Sequence, residues 1–358
     1  MSGLSIELVR SEAALEALAE DWSVLWRRTQ APPFLAPAWL LPWRRVFQTG
    51  SLLSAIARDG SRLVALAPFY LEDGALGRRL LPIGIALSDY LDVLIDPDYP
   101  RAGPAIAEAF DAAKDWDVWS LEELPPGASA LSLPCPRGWH ESTEKQSACP
   151  RLELPPSVDR LRERIPGPRL RKLRTAHNRA GRHGGFIIEP VEADSAPRFL
   201  QELERLHGAR WASRGTSGVL TDEDIRRFHA AAVPALIEAG LARCSLGWLE
   251  GRVVAAYYGL CDGRRAFGYL TGFDPEHAFE SPGAVIVGDA IESAVKEGCT
   301  EFHFLRGRES YKYDWGAADM WSVRRLFVRD MATDSREAPA TMPRNGSDAS
   351  PDRGARYV

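Results

Sequence analysis

The chain has 358 residues, 45% of them hydrophobic and 26% charged, with a formal net charge of −5. That composition is globular and excludes collagen-like, coiled-coil and wholly disordered chains. The acidic balance excludes a protein that coats nucleic acid with its whole surface, and at about 100–200 residues per domain the length calls for two domains. The best apolar helix candidate, residues 284–295, is interrupted by Asp289 and Glu292 and is too short to span a bilayer. The first residues, Met1-Ser2-Gly3-Leu4-Ser5, show neither a basic nor an apolar leader region, and five cysteines are scattered without CxxC spacing. The expectation is a cytoplasmic protein with reduced thiols and no bound metal.

Alternation predicts a strand over residues 4–9. Leu15, Leu18, Trp22 and Leu25 recur at spacings of three and four, which predicts one amphipathic helix over 11–28 with Ser11 as its cap. A second helix is expected over 38–47. Residues 52–58 and 63–70 flank Asp59-Gly60, a hairpin signal because glycine accepts the positive φ of a tight turn. An extended segment over 80–95, a helix over 103–114 and a strand over 118–121 follow. Residues 124–156 are rich in proline, glycine and serine and read as a connector, part of which completes the first sheet. The second half repeats the order: a strand over 186–191, a helix over 197–214, and a helix capped by Thr221. Pro234 is expected to kink or end that last helix, and Gly240 to terminate it. Strands over 242–249, 252–261 and 264–273, a helix over 282–296, and strands over 301–305 and 321–329 complete the pattern. Strand, two helices, hairpin strands, helix and strand thus occur twice, which reads as two copies of one α/β unit, residues 1–156 and 157–330. Residues 331–358 hold little to bury and are expected to form a disordered tail.

Four stretches carry candidate chemistry. In Ser281-Pro282-Gly283-Ala284-Val285 a serine suits the N-cap, a proline the first helical position, and the glycine admits close approach. A strand feeding such a helix start favours phosphate, although Glu280 beside it repels anions and most such starts bind nothing. In Phe302-His303-Phe304-Leu305-Arg306-Gly307-Arg308-Glu309-Ser310-Tyr311-Lys312, polar residues crowd past the carboxyl end of a buried strand. Arg306 or Lys312 suits a phosphate or oxyanion and Glu309 a base; a salt-bridged, aromatic-anchored loop fits equally well. Leu203, His207 and Trp211 stand four apart with Arg210 between, either a substrate-facing patch or a packed histidine. Finally, Arg160 to Arg182 holds nine lysines or arginines with Glu163 as its only acid. It suits RNA phosphates, an anionic membrane surface, or a solvated helix between the halves. No GxSxG, HExxH, P-loop or GxGxxG pattern is present.

Taken together, the second half resembles the GNAT acyltransferase-like domain of bacterial CelD-type proteins, the family named after cellulose biosynthesis. The matching pieces are Leu206-His207 with Arg210-Trp211 and Gly215; Phe228-His229; Val254-Ala255-Ala256; Gly272-Phe273-Asp274-Pro275; Ser281-Pro282-Gly283; and Phe304-Leu305-Arg306-Gly307 followed by Glu309, Tyr311-Lys312 and Trp315. They cover most of residues 160–330. In the first half, Phe34 with Trp39 and Ser88-Asp89-Tyr90-Leu91-Asp92 resemble that family's N-terminal region.

The resemblance implies a mixed α/β (α+β) architecture of tandem GNAT, acyl-CoA N-acyltransferase-like domains, similar to the Fem-type aminoacyltransferases of peptidoglycan synthesis. It implies transfer of an acyl group, acetyl first of all, from acetyl-CoA or another acyl-CoA to a small-molecule or glycan amine in polysaccharide or cell-envelope synthesis. The donor would enter where strands 264–273 and 301–305 splay, against Gly272, Phe273, Ser281, Gly283, Ala284 and Val285. Lys312 inherits the place of a late aromatic-Lys motif and joins Arg306, Glu309 and Asp274 as the catalytic set. Asp89, Tyr90, His207, Arg210, Trp211, Tyr311 and Trp315 are the expected acceptor contacts. The chain departs from the GNAT pattern at the diphosphate loop, where Glu280-Ser281-Pro282-Gly283-Ala284 replaces an arginine or glutamine with doubled glycines. Two other readings stay open: an aminoacyl-tRNA-dependent transferase with Arg160–Arg182 on tRNA, and a non-catalytic partner of an exopolysaccharide machine.

Overall fold

The computed structural model describes residues 3–74, 77–212, 215 and 218–329. The expected tail, residues 331–358, and the end of the helix expected at Arg214 lie outside the described residues.

Strand β1 (Ser5–Val9) leads into α1 (Glu12–Ala17) and α2 (Ala19–Thr29). The sequence suggests one helix here. The structure parts it at Leu18, whose N–H bonds the Leu15 carbonyl at 3.2 Å in a tighter turn. The apolar face survives the break, since Leu15, Leu18, Trp22 and Leu25 are all buried. Helix α3 (Pro37–Phe47) follows, then β2 (Ser51–Leu52), β3 (Ser54–Asp59), β4 (Arg62–Ala67), β5 (Phe69–Gly74), β6 (Gly77–Pro82) and β7 (Leu94–Ile95). The expected turn at Asp59-Gly60 joins β3 to β4. Helix α4 (Ala102–Ala113) and β8 (Val118–Leu124) end this series. The stretch that reads as a connector instead holds β9 (Trp139–Glu153), a strand of 15 residues. Its outward charged residues conceal the alternation.

The second series is α5 (Gly167–Ala180), β10 (Ile187–Pro190), α6 (Ala196–Ala212), α7 (Glu223–Glu238), β11 (Ala242–Leu249), β12 (Arg252–Cys261), β13 (Arg265–Phe273), α8 (Pro282–Lys296), β14 (Glu301–His303), α9 (Ser310–Asp314) and β15 (Ala318–Arg329). Helix α7 differs from expectation twice. Its cap is Asp222, whose carboxylate accepts the N–H groups of Asp224 and Ile225, while the Thr221 hydroxyl donates to the Gly218 carbonyl. It also continues past Pro234 to Glu238 rather than ending there, because Phe228, Ala232, Val233 and Leu236 bury a continuous face that outweighs one missing backbone bond.

The architecture is mixed α/β. A four-stranded antiparallel sheet runs β1-β3-β4-β7. An eleven-stranded sheet runs β10-β11-β12-β13-β14-β9-β15-β8-β6-β5-β2. Strand β9 belongs to both series: its end pairs with β14 through Leu152 and Phe302, and most of its length pairs with β15. Strand β15, the last in the described chain, returns to lie between β9 and β8. The halves also share a core. Trp39 of α3 is fully buried, with its ring 4.9 Å from that of Phe228 and 5.2 Å from that of Tyr269. Truncating such an anchor costs about 3–5 kcal/mol, so the two series are one packed body. Among the described residues no helix is long and apolar enough to cross a membrane.

Candidate active site

Strands β13 and β14 are parallel but pair only through Arg265–Glu301, Ala266–Phe302 and Phe267–His303. The chain after β14 then stays on β9, with Phe304 N–H on the Pro150 carbonyl (2.8 Å) and Gly307 N–H on the Ala148 carbonyl (3.0 Å). Strand β13 continues away to Phe273 along β12. The divergence leaves a wedge in the sheet, and a cavity of about 100 Å³ opens into it. Gly268, Tyr269, Leu270 and Thr271 of β13 form one wall. Asp89, His207, Arg210, Trp211, Arg306, Glu309, Tyr311 and Lys312, eight residues singled out from the sequence, line the rest.

Arg306 is the hinge of this arrangement. Its Nε donates to Asp89 at 2.9 Å, its own backbone N–H reaches the same carboxylate at 3.0 Å, and Nη2 donates to the Ala86 carbonyl at 2.8 Å. Glu123 lies 3.4 Å from Nη1. Burial works against the guanidinium charge, but Asp89 and Glu123 outweigh it and hold its pKa above the ordinary value. Ala86 (φ 74°), Glu123 (φ 48°) and Leu305 (φ 60°) all adopt the left-handed conformation around it. Such strain persists only where surrounding contacts over-determine it, and it concentrates at functional sites.

Lys312, at 2% exposure, turns back over the same loop. Its Nζ donates to the carbonyls of Leu305 (3.2 Å), Arg306 (2.5 Å) and Gly307 (3.2 Å) and lies 3.0 Å from Glu309 Oε2. Those carbonyls have left the β13 ladder, so the ammonium supplies what the missing strand pairing does not. Across the cavity, Arg210 donates to the Thr271 carbonyl at 3.1 Å and lies 5.8 Å from the centre of the Tyr311 ring.

Trp211 Nε1–H donates to His207 Nε2 at 2.9 Å, which assigns the proton of the neutral ring to Nδ1. Burial, aided by the charge of Arg210, pushes His207 down to about 4. Behind it His229, absent from the sequence-based site set, is 1% exposed among Trp39, Phe228, Tyr258 and Tyr269. Neither of its nitrogens has a hydrogen-bond partner among the described residues. Burial, with His207 nearby, pushes it down to about 3. Both folded values lie below the unfolded one, so stability is present above pH 6.5 and is lost as the pH falls through 6.5 towards these lower values. Each ring is expected to withdraw up to about 3 kcal/mol by pH 4. His229→Phe, which keeps the ring volume and removes two unpaired nitrogens, is expected to raise the melting temperature and flatten the acid limb. Thermal denaturation of both proteins from pH 7.5 to 4.5 checks this; parallel curves would contradict it.

The remaining expected residues lie outside the cavity lining. Asp274 accepts the Glu276 N–H at 3.0 Å, is 3.3 Å from His277, and caps the turn after β13. Gly272 lets α6 press onto β13, since a Cβ there would sit 2.7 Å from His207 N. Gly283 gives room to the Phe273 ring, which a Cβ would meet at 2.8 Å. Ser281 does precede α8, but in the left-handed conformation (φ 55°) and with no side-chain cap bond. Its carbonyl accepts the Ala284 and Val285 N–H groups. Tyr90 is buried, with its hydroxyl 3.0 Å from His303 Nδ1, while His303 Nε2 is 2.9 Å from Glu301. Trp315 is fully buried against Gly288 and lies 4.0 Å beneath the Arg169 guanidinium.

Sequence reasoning missed Glu123, Tyr269 and Thr271. The doubled acid Glu122-Glu123 ending an apolar strand was a signal for the first, because a carboxylate there needs a buried partner. Among the described residues no group of three or more His, Cys, Asp and Glu side chains is placed to hold a metal ion.

Residues 168–313 match the family described as acetyltransferase (GNAT) domain. No curated protein matches the sequence. Among solved structures, FemX superposes with a TM-score of 0.63 at 10% identity, over 90% of this chain and 96% of that one. A conserved protein of unknown function from Bacteroides thetaiotaomicron superposes with a TM-score of 0.56 at 13% identity, over 91% of this chain and all of that one. These likenesses are of fold. The likeness to a GNAT acetyltransferase domain thus spans residues 168–313, and the chain as a whole shares its fold with FemX.

Proposed function

We propose that the protein is an N-acyltransferase that moves an acyl group, acetyl first of all, from an acyl-CoA thioester to an amine held in the wedge between β13 and β14. The observation that carries this reading is the wedge itself. Parallel strands that part after three paired residues leave the β13 edge beyond Phe267 without β14 partners, a place for an extended donor to pair beside the Thr271 carbonyl that Arg210 holds. The amine nitrogen attacks the thioester carbonyl carbon, the C–S bond breaks, and the thiolate leaves. Backbone N–H groups of the unpaired β13 edge stabilise the oxyanion. Glu309, on the cavity wall, takes the amine proton directly or through water. His207, Trp211 and Tyr311 give the acceptor an aromatic and polar wall suited to a small amine or an amino sugar, and cell-envelope or polysaccharide synthesis is a setting that consumes such products.

Calorimetric titration with acetyl-CoA, a long-chain acyl-CoA and free coenzyme A tests the donor. Micromolar binding is expected, and in Glu309→Gln binding persists while thiol release falls at least about tenfold. Heat from none of the three would overturn the acyl-CoA reading. Helix α5 then favours the second reading, an aminoacyl-tRNA donor. Arg171, Lys172 and Arg174 of this helix have no carboxylate ion pair among the described residues. Binding of tRNA would fall steeply with salt.

A further inference from the structure

A second crevice lies between the halves, beside the closed end of the β13–β14 pair and separate from the wedge. It measures about 340 Å³. Trp26, Arg27 and Gln30 from the end of α2 form one side; Arg264 and Arg265 from the β12–β13 turn, with Thr300, form the other.

The charges in it are unequally satisfied. Arg265 is matched by Asp262 at 2.7 Å. Glu301, the other acid of the crevice, is matched by Arg151 at 2.5 Å and bonds His303. The Arg264 guanidinium meets the neutral side-chain oxygen of Gln30 and, among the described residues, no carboxylate. Arg27 has no partner among the described residues. Two guanidinium groups, one from each half, therefore face a shared crevice with no carboxylate paired to either among the described residues, while its two acids, Asp262 and Glu301, are held by Arg265 and Arg151. Gln30 is held in the left-handed conformation (φ 52°) with its carbonyl accepting from Arg265 at 2.7 Å, so this floor is built rather than loose. The Gln30 amide NH2 adds an uncharged donor on one side, while the Thr300 hydroxyl donates to the Arg264 carbonyl at 3.4 Å and fixes the turn on the other.

We propose that this crevice binds a small dianion, a phosphate group or a dicarboxylate, between Arg27 and Arg264. Paired guanidinium forks match the oxygen spacing of either group, and charge-assisted bonds to both would bridge α2 to the β12–β13 turn. The bound anion would fasten the first half to the strand pair whose far end opens as the wedge.

Thermal shift and calorimetry on the full chain with inorganic phosphate, pyrophosphate and citrate, at ionic strength fixed with sodium chloride, test the site. The expected result is saturable stabilisation, with affinity weakened about tenfold or more in Arg27→Gln and in Arg264→Gln. Both side chains are exposed, so both variants are expected to fold. Preference for pyrophosphate over citrate would assign a phosphate ligand, and the reverse a carboxylate. No stabilisation beyond chloride, or equal stabilisation of the double variant, would overturn the proposal. The readout is independent of acyl transfer, so it stands or falls apart from the wedge.

Discussion

Lys312→Met is expected to abolish turnover and to lower the melting temperature in the same variant. The substitution keeps the length of the side chain but removes its charge, leaving the carbonyls of Leu305, Arg306 and Gly307 and the Glu309 carboxylate without their common partner. Removing one member of a buried pair costs about 3–5 kcal/mol, which in a chain of this size lowers the melting temperature by roughly 4–7 °C. The double variant Lys312→Met with Glu309→Gln tests the pairing. It relieves the orphaned charge and is expected to recover part of the stability, while turnover stays lost because the proposed base is gone as well. Recovery of turnover would remove Glu309 as the base. A substrate-facing lysine read from the sequence would leave stability untouched; its burial under three carbonyls changes that expectation.

Arg306→Leu is expected to be at least as damaging, for a different reason. Asp89 and Glu123 come from the first half and meet the second through this guanidinium. Without it two carboxylates share a buried site, at about 3–5 kcal/mol or more. The deficit carries a pH signature. Burial already raises the Glu123 pKa, with Arg306 opposing the rise, so the variant raises it further. A carboxyl raised above its unfolded value contributes stability below that value and loses it as the pH rises through the folded one. The gap between Arg306→Leu and the parent protein should therefore be narrower at pH 5 than at pH 8. Urea unfolding at both pH values measures it, and a gap independent of pH would contradict this account.

These two residues also show what the sequence made legible. Crowded charge after an apolar strand located the wedge because chemistry at a strand's carboxyl end is a local pattern, and Arg306, Glu309 and Lys312 lie within one loop. What each charge touches is not local. Asp89 reaches Arg306 across 217 positions and Ser322 reaches Glu123 across 199, and neither spacing leaves a mark in periodicity. The same limit hid β9. Its residues alternate only weakly because much of its length lies exposed beside β15, so turn-forming composition dominated the signal. Helix α7 failed in the opposite direction: Pro234 is a strong local punctuator, and tertiary burial overrode it. Asp274 and Trp315 matched a motif whose members include structural parts, and here they serve as a turn cap and a core ring.

The return of β15 between β9 and β8 has a consequence for biosynthesis. Val118 pairs with Val328 and Trp119 with Phe327, so the earliest half of the protein cannot close its sheet while it is being made. Until β15 leaves the ribosome, β8 and β9 each present a bare edge, the kind of surface that recruits other chains. Closure of the sheet is thereby tied to synthesis of β15, and the pairing that achieves it joins residues about 200 positions apart, a contact of the kind that slows folding. A transcript cut short before residue 318 yields a product with both edges open and marks it for aggregation or removal, so that only chains carrying the whole wedge persist.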